Sequence, residues 1–187
     1  MSTETKHICN SVLQSKLYED PFNHLYINNF FSNNFYNDLL NFLPTKEKYT
    51  QINKTKSVSA DYPDERYIFN ITPESFNQFY NDQKLFFGEV VNCLMSKEFF
   101  ETVVSKFVSN GFDVSPQDLD LRLALVKDLT NYNLGAHTDS KEKFMTFLFY
   151  LPKDESNKNI GTSLYKLKKN SNNNISYNNH YSKEETK

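Results

Sequence analysis

LRLALVKD (121–128), GAHTD (135–139), FMTFLFYLP (144–152) and GTSLY (161–165) follow one another in the second half of the chain. Leucines at 119, 121, 123 and 125 alternate with Asp120, Arg122 and Ala124, the two-residue period of a strand. Phe144 to Leu151 is a continuous apolar run containing Thr146, short enough to be a buried strand. Thr162 to Leu167 alternates again after Gly161. Strands are therefore expected from residue 117 onward.

The sequence before Pro116 has a different period. Phe35, Leu39, Leu40 and Phe42 recur near helical spacing, with Ser32 as N-cap and Pro44 as stop. Thr72-Pro73-Glu74 opens a second helical stretch with a cap, a proline at the first position and an acidic first turn. It carries Phe76, Phe79, Phe86, Phe87, Val90, Val91 and Leu94, with a break expected near Gln83. Ser96 caps a third helix containing Phe99, Phe100, Val103, Val104 and Phe107, and Gly111 closes it. Pro21 to Phe31 reads as a short strand, 45–66 as an irregular loop and 1–19 as a disordered N-terminus. Helices first and strands afterwards give an α+β class. The helices of 20–110 would support a sheet built from the C-terminal half.

Composition excludes several functions. A chain of 187 residues has the length of one domain. Its net charge of −2 gives no reason to expect nucleic acid or an anionic membrane as partner. Gly88, Gly111, Gly135 and Gly161 are the only glycines, too far apart for a phosphate-cradling loop. Cys9 and Cys93 form neither a disulfide framework nor a zinc ligand set, which fits a reducing, cytoplasmic setting. The polar first ten residues lack a signal-peptide core, and no apolar run has the length of a membrane span.

The chemistry concentrates at His137-Thr138-Asp139. Residues i and i+2 of an extended backbone point to the same side. An imidazole nitrogen and a carboxylate oxygen can thus face one point, as in a two-His-one-carboxylate facial triad on iron(II). A polar loop carries H-x-D by chance often enough that the tripeptide alone decides little.

The order of the segments adds to it. Strand, Tyr132, Gly135, HTD, a short polar loop, FMTFLFYLP and GTSLY together resemble the iron(II)- and 2-oxoglutarate-dependent oxygenase superfamily, in the broad prolyl-hydroxylase-like sense. PFNHLYINNFFSNNFYNDLLNFLP (21–44) is similar to the strand-helix opening of many such proteins. The resemblance spans about residues 20–167 and is strongest over 119–165. It implies a jelly-roll (double-stranded β-helix) core, with His137 and Asp139 as metal ligands. Iron(II), 2-oxoglutarate and O₂ would be the cofactors and cosubstrates, and a small molecule or protein side chain would be hydroxylated. Tyr150 matches the tyrosine that reaches 2-oxoglutarate in relatives, Leu164 would line the cosubstrate pocket, and Tyr132 would line that pocket or the substrate's. Core packing explains Tyr150 and Leu164 as well.

Two departures accompany the resemblance. The family's third ligand is a histidine on a later strand, followed by an Arg or Lys for the distal carboxylate of 2-oxoglutarate. After Asp139 the chain has one histidine, His180, within the polar ISYNNHYSKEETK (175–187), and no Arg follows Arg122. His180 reads as a solvated loop residue. A jelly roll takes eight strands, against about three legible here. The C-terminal strands and third ligand are therefore expected beyond Lys187, leaving this chain an inactive fragment. The competing reading is a non-catalytic jelly-roll binding or scaffold module in which HTD is a polar turn.

Overall fold

The computed structural model describes residues 1–59, 62–107, 119–157, 159–168 and 175–187. The protein mixes helices with small antiparallel sheets. It divides into two compact units: Met1–Tyr18 with His24–Tyr132, and Glu19–Asn23 with Asn133–Lys187.

Among the described residues, the first unit holds every α-helix and every strand. Helix α1 (Thr3–Gln14) starts at Ser2, whose hydroxyl accepts the Thr5 N–H at 3.0 Å. It lies in the segment expected to be disordered. Its polar composition hides a narrow stripe, Ile8, Cys9 and Val12, that is buried; spacing of one and four residues puts all three on one helix face. Helix α1 packs on α5 (Lys97–Phe107), and Lys106 Nζ donates to the carbonyls of Leu13 and, at 2.8 Å, Ser15, where α1 ends. An ammonium suits that helix end.

Strands β1 (Leu17–Tyr18) and β2 (His24–Leu25) form a short antiparallel ribbon, much less than the strand expected over 21–31. Helix α2 (Asn33–Asn41) follows Ser32, whose hydroxyl makes no cap bond to its own helix. Helix α3 (Pro73–Phe76) has a reciprocal cap between Thr72 and Ser75, and α4 (Asn81–Leu94) follows. The break lies over 77–80. Gln83 instead belongs to the first turn of α4, its side chain accepting the Tyr80 N–H and donating to the Phe42 carbonyl. Ser96 caps α5 as expected, accepting the Phe99 N–H at 3.1 Å.

The loop expected over 45–66 contains two single-turn 3₁₀ helices, Lys46–Lys48 and Ile52–Lys54, and strand β3 (Thr50–Gln51). Strand β4 (Arg66–Asn70) sits between β3 and β5 (Ala124–Asp128), all antiparallel. The β4–β5 register sets Arg66 opposite Asp128 and Phe69 opposite Leu125. Strand β5 thus begins later than the leucine alternation indicates. The reason is its partner: after Ile71 the chain turns into the Thr72–Ser75 cap, so pairing stops at the Ile71 N–H to Leu123 carbonyl bond.

Phenylalanines unite the core. Phe79 stacks on Phe87 at 4.8 Å and touches Phe69 at 5.2 Å, while Phe86 packs between Phe35 and Phe42. Phe87, Val90 and Cys93 of α4 and Phe99 and Val103 of α5 are buried with them.

The second unit is built of turns, irregular backbone and one single-turn 3₁₀ helix, Glu155–Asn157. No strand is assigned to 144–151 or 162–166, and Leu167 makes one isolated bridge, to Thr186. A strand exists only through its ladder, and β propensity alone does not supply one among the described residues. Gly111, Pro116 and the start of the expected strands at 117 lie outside the described residues. Among those described, no helix is long and apolar enough to cross a membrane.

Candidate functional site

The HTD segment lies in the second unit and is positioned by the segment 176–181. The Thr138 N–H donates to the Asn179 carbonyl and the Tyr181 N–H to the Ala136 carbonyl, both at 2.9 Å. Those two bonds flank His137 and His180, which form an isolated antiparallel bridge. Such a flanked pair makes no bond of its own, so its side chains stand close together on one side of the ribbon. The imidazole centroids are 5.7 Å apart and the rings lie 29° from parallel. Beyond the pair the ladder degenerates: Asn178 adopts φ 52°, and its N–H turns to the Asp139 carbonyl at 3.1 Å. Asparagine tolerates that left-handed backbone better than most residues.

Thr138 fastens the two segments a second time. Its hydroxyl donates to the Ser176 carbonyl and accepts the Asn179 N–H at 3.2 Å. The Tyr181 phenol is held below its ordinary pKa by hydrogen bonds, Asn179 first and Ser176 after it. Accepting the Ser176 N–H at 2.9 Å favours the phenolate, the better acceptor.

Donor geometry follows from these constraints. Nδ1 of His137 lies 2.9 Å from the Gly135 carbonyl. Since a carbonyl only accepts, Nδ1 is the donor, which in the neutral ring leaves Nε2 as the nitrogen with a lone pair, the arrangement a metal-binding histidine needs. Asp139 is differently engaged. One carboxylate oxygen accepts from Lys143 Nζ at 2.8 Å and the other from the Thr146 hydroxyl at 3.4 Å. The Lys143 N–H bonds the Ser140 carbonyl, a turn that brings the ammonium back over Asp139. In this arrangement the residues do not fit iron: among the described residues no group of three His, Cys, Asp or Glu side chains is set to hold a metal.

The remaining candidates are scattered. Tyr150 is 53% exposed and Leu164 42% exposed, so neither lines a closed pocket; the Tyr150 hydroxyl bonds that of Thr162. Tyr132 belongs to the first unit. Its hydroxyl lies 2.7 Å from that of Tyr62, and the Arg66 guanidinium stands 4.1 Å above its ring. Burial, and then the Tyr62 hydrogen bond, raise the Tyr132 pKa. Its polar and aromatic partners account for it as a structural residue.

His180 and Lys143 stand beside the motif without a sequence signal that places them there. The Asn178-Asn179 turn preceding His180 is the one local signal that the chain reverses there. Lys143 stands four residues after Asp139 in a polar turn, a spacing that carries no specific meaning outside a helix. No family model, no curated protein and no solved structure matches the chain.

Proposed function

We propose that this protein is a non-haem iron(II)- and 2-oxoglutarate-dependent dioxygenase that hydroxylates a small molecule or protein side chain, with His137 and Asp139 as metal ligands. The observation that supports it best is the His137–His180 pairing. It sets a second imidazole beside an H-x-D motif on one short ribbon, the residue types of a facial triad, although the three side chains are not gathered into a metal-holding group. His180 takes the third-ligand role in this proposal. The jelly-roll core belongs to this proposal, as do Tyr150 and Leu164 as cosubstrate-pocket residues and a cytoplasmic location. Tyr132 is left out of the site.

The test is conversion of 2-oxoglutarate to succinate by the full chain supplied with iron(II) and O₂. Turnover that disappears in both His137→Ala and His180→Ala is the expected result. Turnover unchanged in His137→Ala overturns the reading. A chain that neither binds a divalent metal nor turns over 2-oxoglutarate is instead the non-catalytic module, a reading favoured by the engagement of Asp139 with Lys143 and Thr146.

A further inference from the structure

Strand β5 (Ala124–Asp128) is the last strand of its sheet: β4 pairs with one of its edges, and among the described residues no strand pairs with the other. Two bonds at the ends of the β4–β5 ladder fix which backbone groups face where: Ile71 N–H to the Leu123 carbonyl, and Leu129 N–H to the Glu65 carbonyl. Antiparallel strands exchange such bonds at every second residue. Leu123, Leu125, Lys127 and Leu129 therefore turn their N–H and C=O toward β4. Arg122, Ala124, Val126 and Asp128 turn theirs to the open edge. An edge of this kind is a template for another strand unless proline, a bulge or charge blunts it. No proline interrupts 121–128, the β4–β5 register runs without a bulge, and Val126 is half exposed. Lys127 is the one charge between Arg122 and Asp128.

We infer that this edge binds the same edge of a second copy, making one antiparallel sheet across a twofold dimer. A twofold axis normal to the sheet keeps each side chain on its own face, so a residue can oppose only residues an even number of positions away. Charge selects among those registers, since opposite charges across a pair attract and like charges repel. Centred on Leu125, the pairing sets Arg122 opposite Asp128, Ala124 opposite Val126 and Lys127 opposite Leu123. The first two of these pairs use the outward-facing backbone groups. Centred on Ala124, it sets Asp120 against Asp128; centred on Val126, it leaves Arg122 opposite Thr130; centred on Lys127, it sets two lysines together. Arg122 is 92% exposed, and its ion-pair partner within the single chain is Asp120, at 3.5 Å. Asp128 already accepts from Arg66 with both oxygens, but a carboxylate has about four lone-pair sites, and this one is 39% exposed. It has room for a second guanidinium. Pairing at Arg122 also extends β5 into the leucine alternation of 119–125, which runs ahead of the strand formed in the single chain.

Sedimentation equilibrium of the full chain tests this, together with amide hydrogen exchange at low and high protein concentration. Wild type should pass reversibly from monomer to dimer. The Ala124 and Val126 amides should exchange more slowly as the dimer forms, while those of Leu125 and Lys127, bonded to β4, stay protected at every concentration. Arg122→Glu sets like charges opposite each other on both sides of the axis and should weaken the dimer about ten- to hundredfold at low ionic strength. Arg122→Lys should stay near wild type. A wild type that remains monomeric at about 1 mM overturns the inference, as does an assembly that grows beyond the dimer. A dimer that leaves exchange at Ala124 and Val126 unchanged, or that Arg122→Glu does not weaken, is joined elsewhere and overturns it too.

Discussion

Glu4 and Ser32 are joined by two hydrogen bonds across 28 positions: the carboxylate accepts the Ser32 N–H at 2.9 Å and its hydroxyl at 2.6 Å. Glu4 is 7% exposed, so the first turn of α1 serves the start of α2, and the Ser32 hydroxyl is turned away from its own helix. Hydrogen bonds to a charged acceptor are worth about 1.5–3 kcal/mol. Glu4→Ala removes them and strands a partly buried N–H. A loss of about 2–3 kcal/mol is expected, lowering the thermal midpoint by roughly 4–12 °C for a chain of this length. Glu4→Gln should recover part of that, because its carbonyl oxygen still accepts one bond. Thermal melts followed by far-ultraviolet circular dichroism read both. A midpoint unmoved by Glu4→Ala would mean that α1 is not docked through this contact.

Arg66 ties strand pairing to Tyr132. Its guanidinium meets both oxygens of Asp128, at 2.7 and 2.8 Å, directly across the β4–β5 ladder, and its other face covers the Tyr132 ring. A lysine keeps the charge and loses both the fork and the stack. Arg66→Lys should therefore cost about 1 kcal/mol. A double-mutant cycle with Tyr132→Leu, measured by urea unfolding, should return a coupling of about 0.5–1 kcal/mol. Strict additivity would show that the stack contributes nothing.

The sequence is most informative where one local signal is sufficient. Ser96 and Thr72-Pro73 mark helix starts because a hydroxyl cap and a proline act within one turn, and both function as expected. Ser32 has the same signal and marks the right position, but a residue 28 places away takes its hydroxyl, which no local reading anticipates. Helix α1 is hidden because three buried apolar residues among twelve lower no composition-based estimate of disorder. The leucine alternation identifies a strand and misplaces its start, since β4 rather than β5 decides where pairing stops. His137 and Asp139 are legible as a motif. The approach of His180 depends on a backbone reversal at Asn178 and on Thr138, a residue type that strands carry without any functional reason.

Alkaline pH should destabilise the first unit through half-buried tyrosines. Burial pushes the Tyr49 phenol up to about 12, and Tyr36 and Tyr132 are raised too. An unfolded tyrosine ionises near pH 10. With the folded pKa the higher one, the unfolded state loses its proton first as pH rises. Stability from Tyr49 is thus complete below about pH 10 and is lost as pH climbs from there through about 12. Urea unfolding at a series of pH values should show stability declining above about pH 10, less steeply in Tyr49→Phe. Spectrophotometric titration should show tyrosines that ionise only as the fold opens. Ionisation of every tyrosine near pH 10 with the fold intact would contradict the partial burial of Tyr49.

Thr138 tests whether the candidate site is held together as described. Its hydroxyl is at once donor to the Ser176 carbonyl and acceptor from the Asn179 N–H, while its backbone N–H binds the Asn179 carbonyl. Thr138→Val preserves shape and strand propensity and deletes the two hydroxyl bonds. Each neutral bond is worth about 1 kcal/mol net, so local opening of the ribbon should become about five- to thirtyfold more frequent. Amide exchange at Tyr181, whose N–H is paired with Ala136, should accelerate by that factor, and exchange at Ile68 and Phe69 in β4 should not change. Because opening separates His180 from His137, cobalt(II) affinity should fall in the same variant. His137→Ala should lose metal without accelerating exchange at Tyr181 to the same degree, since the backbone bonds on either side of the bridge do not involve its ring. Faster exchange with unchanged metal affinity in Thr138→Val would show that His180 contributes no ligand and would return the third donor to another part of the protein.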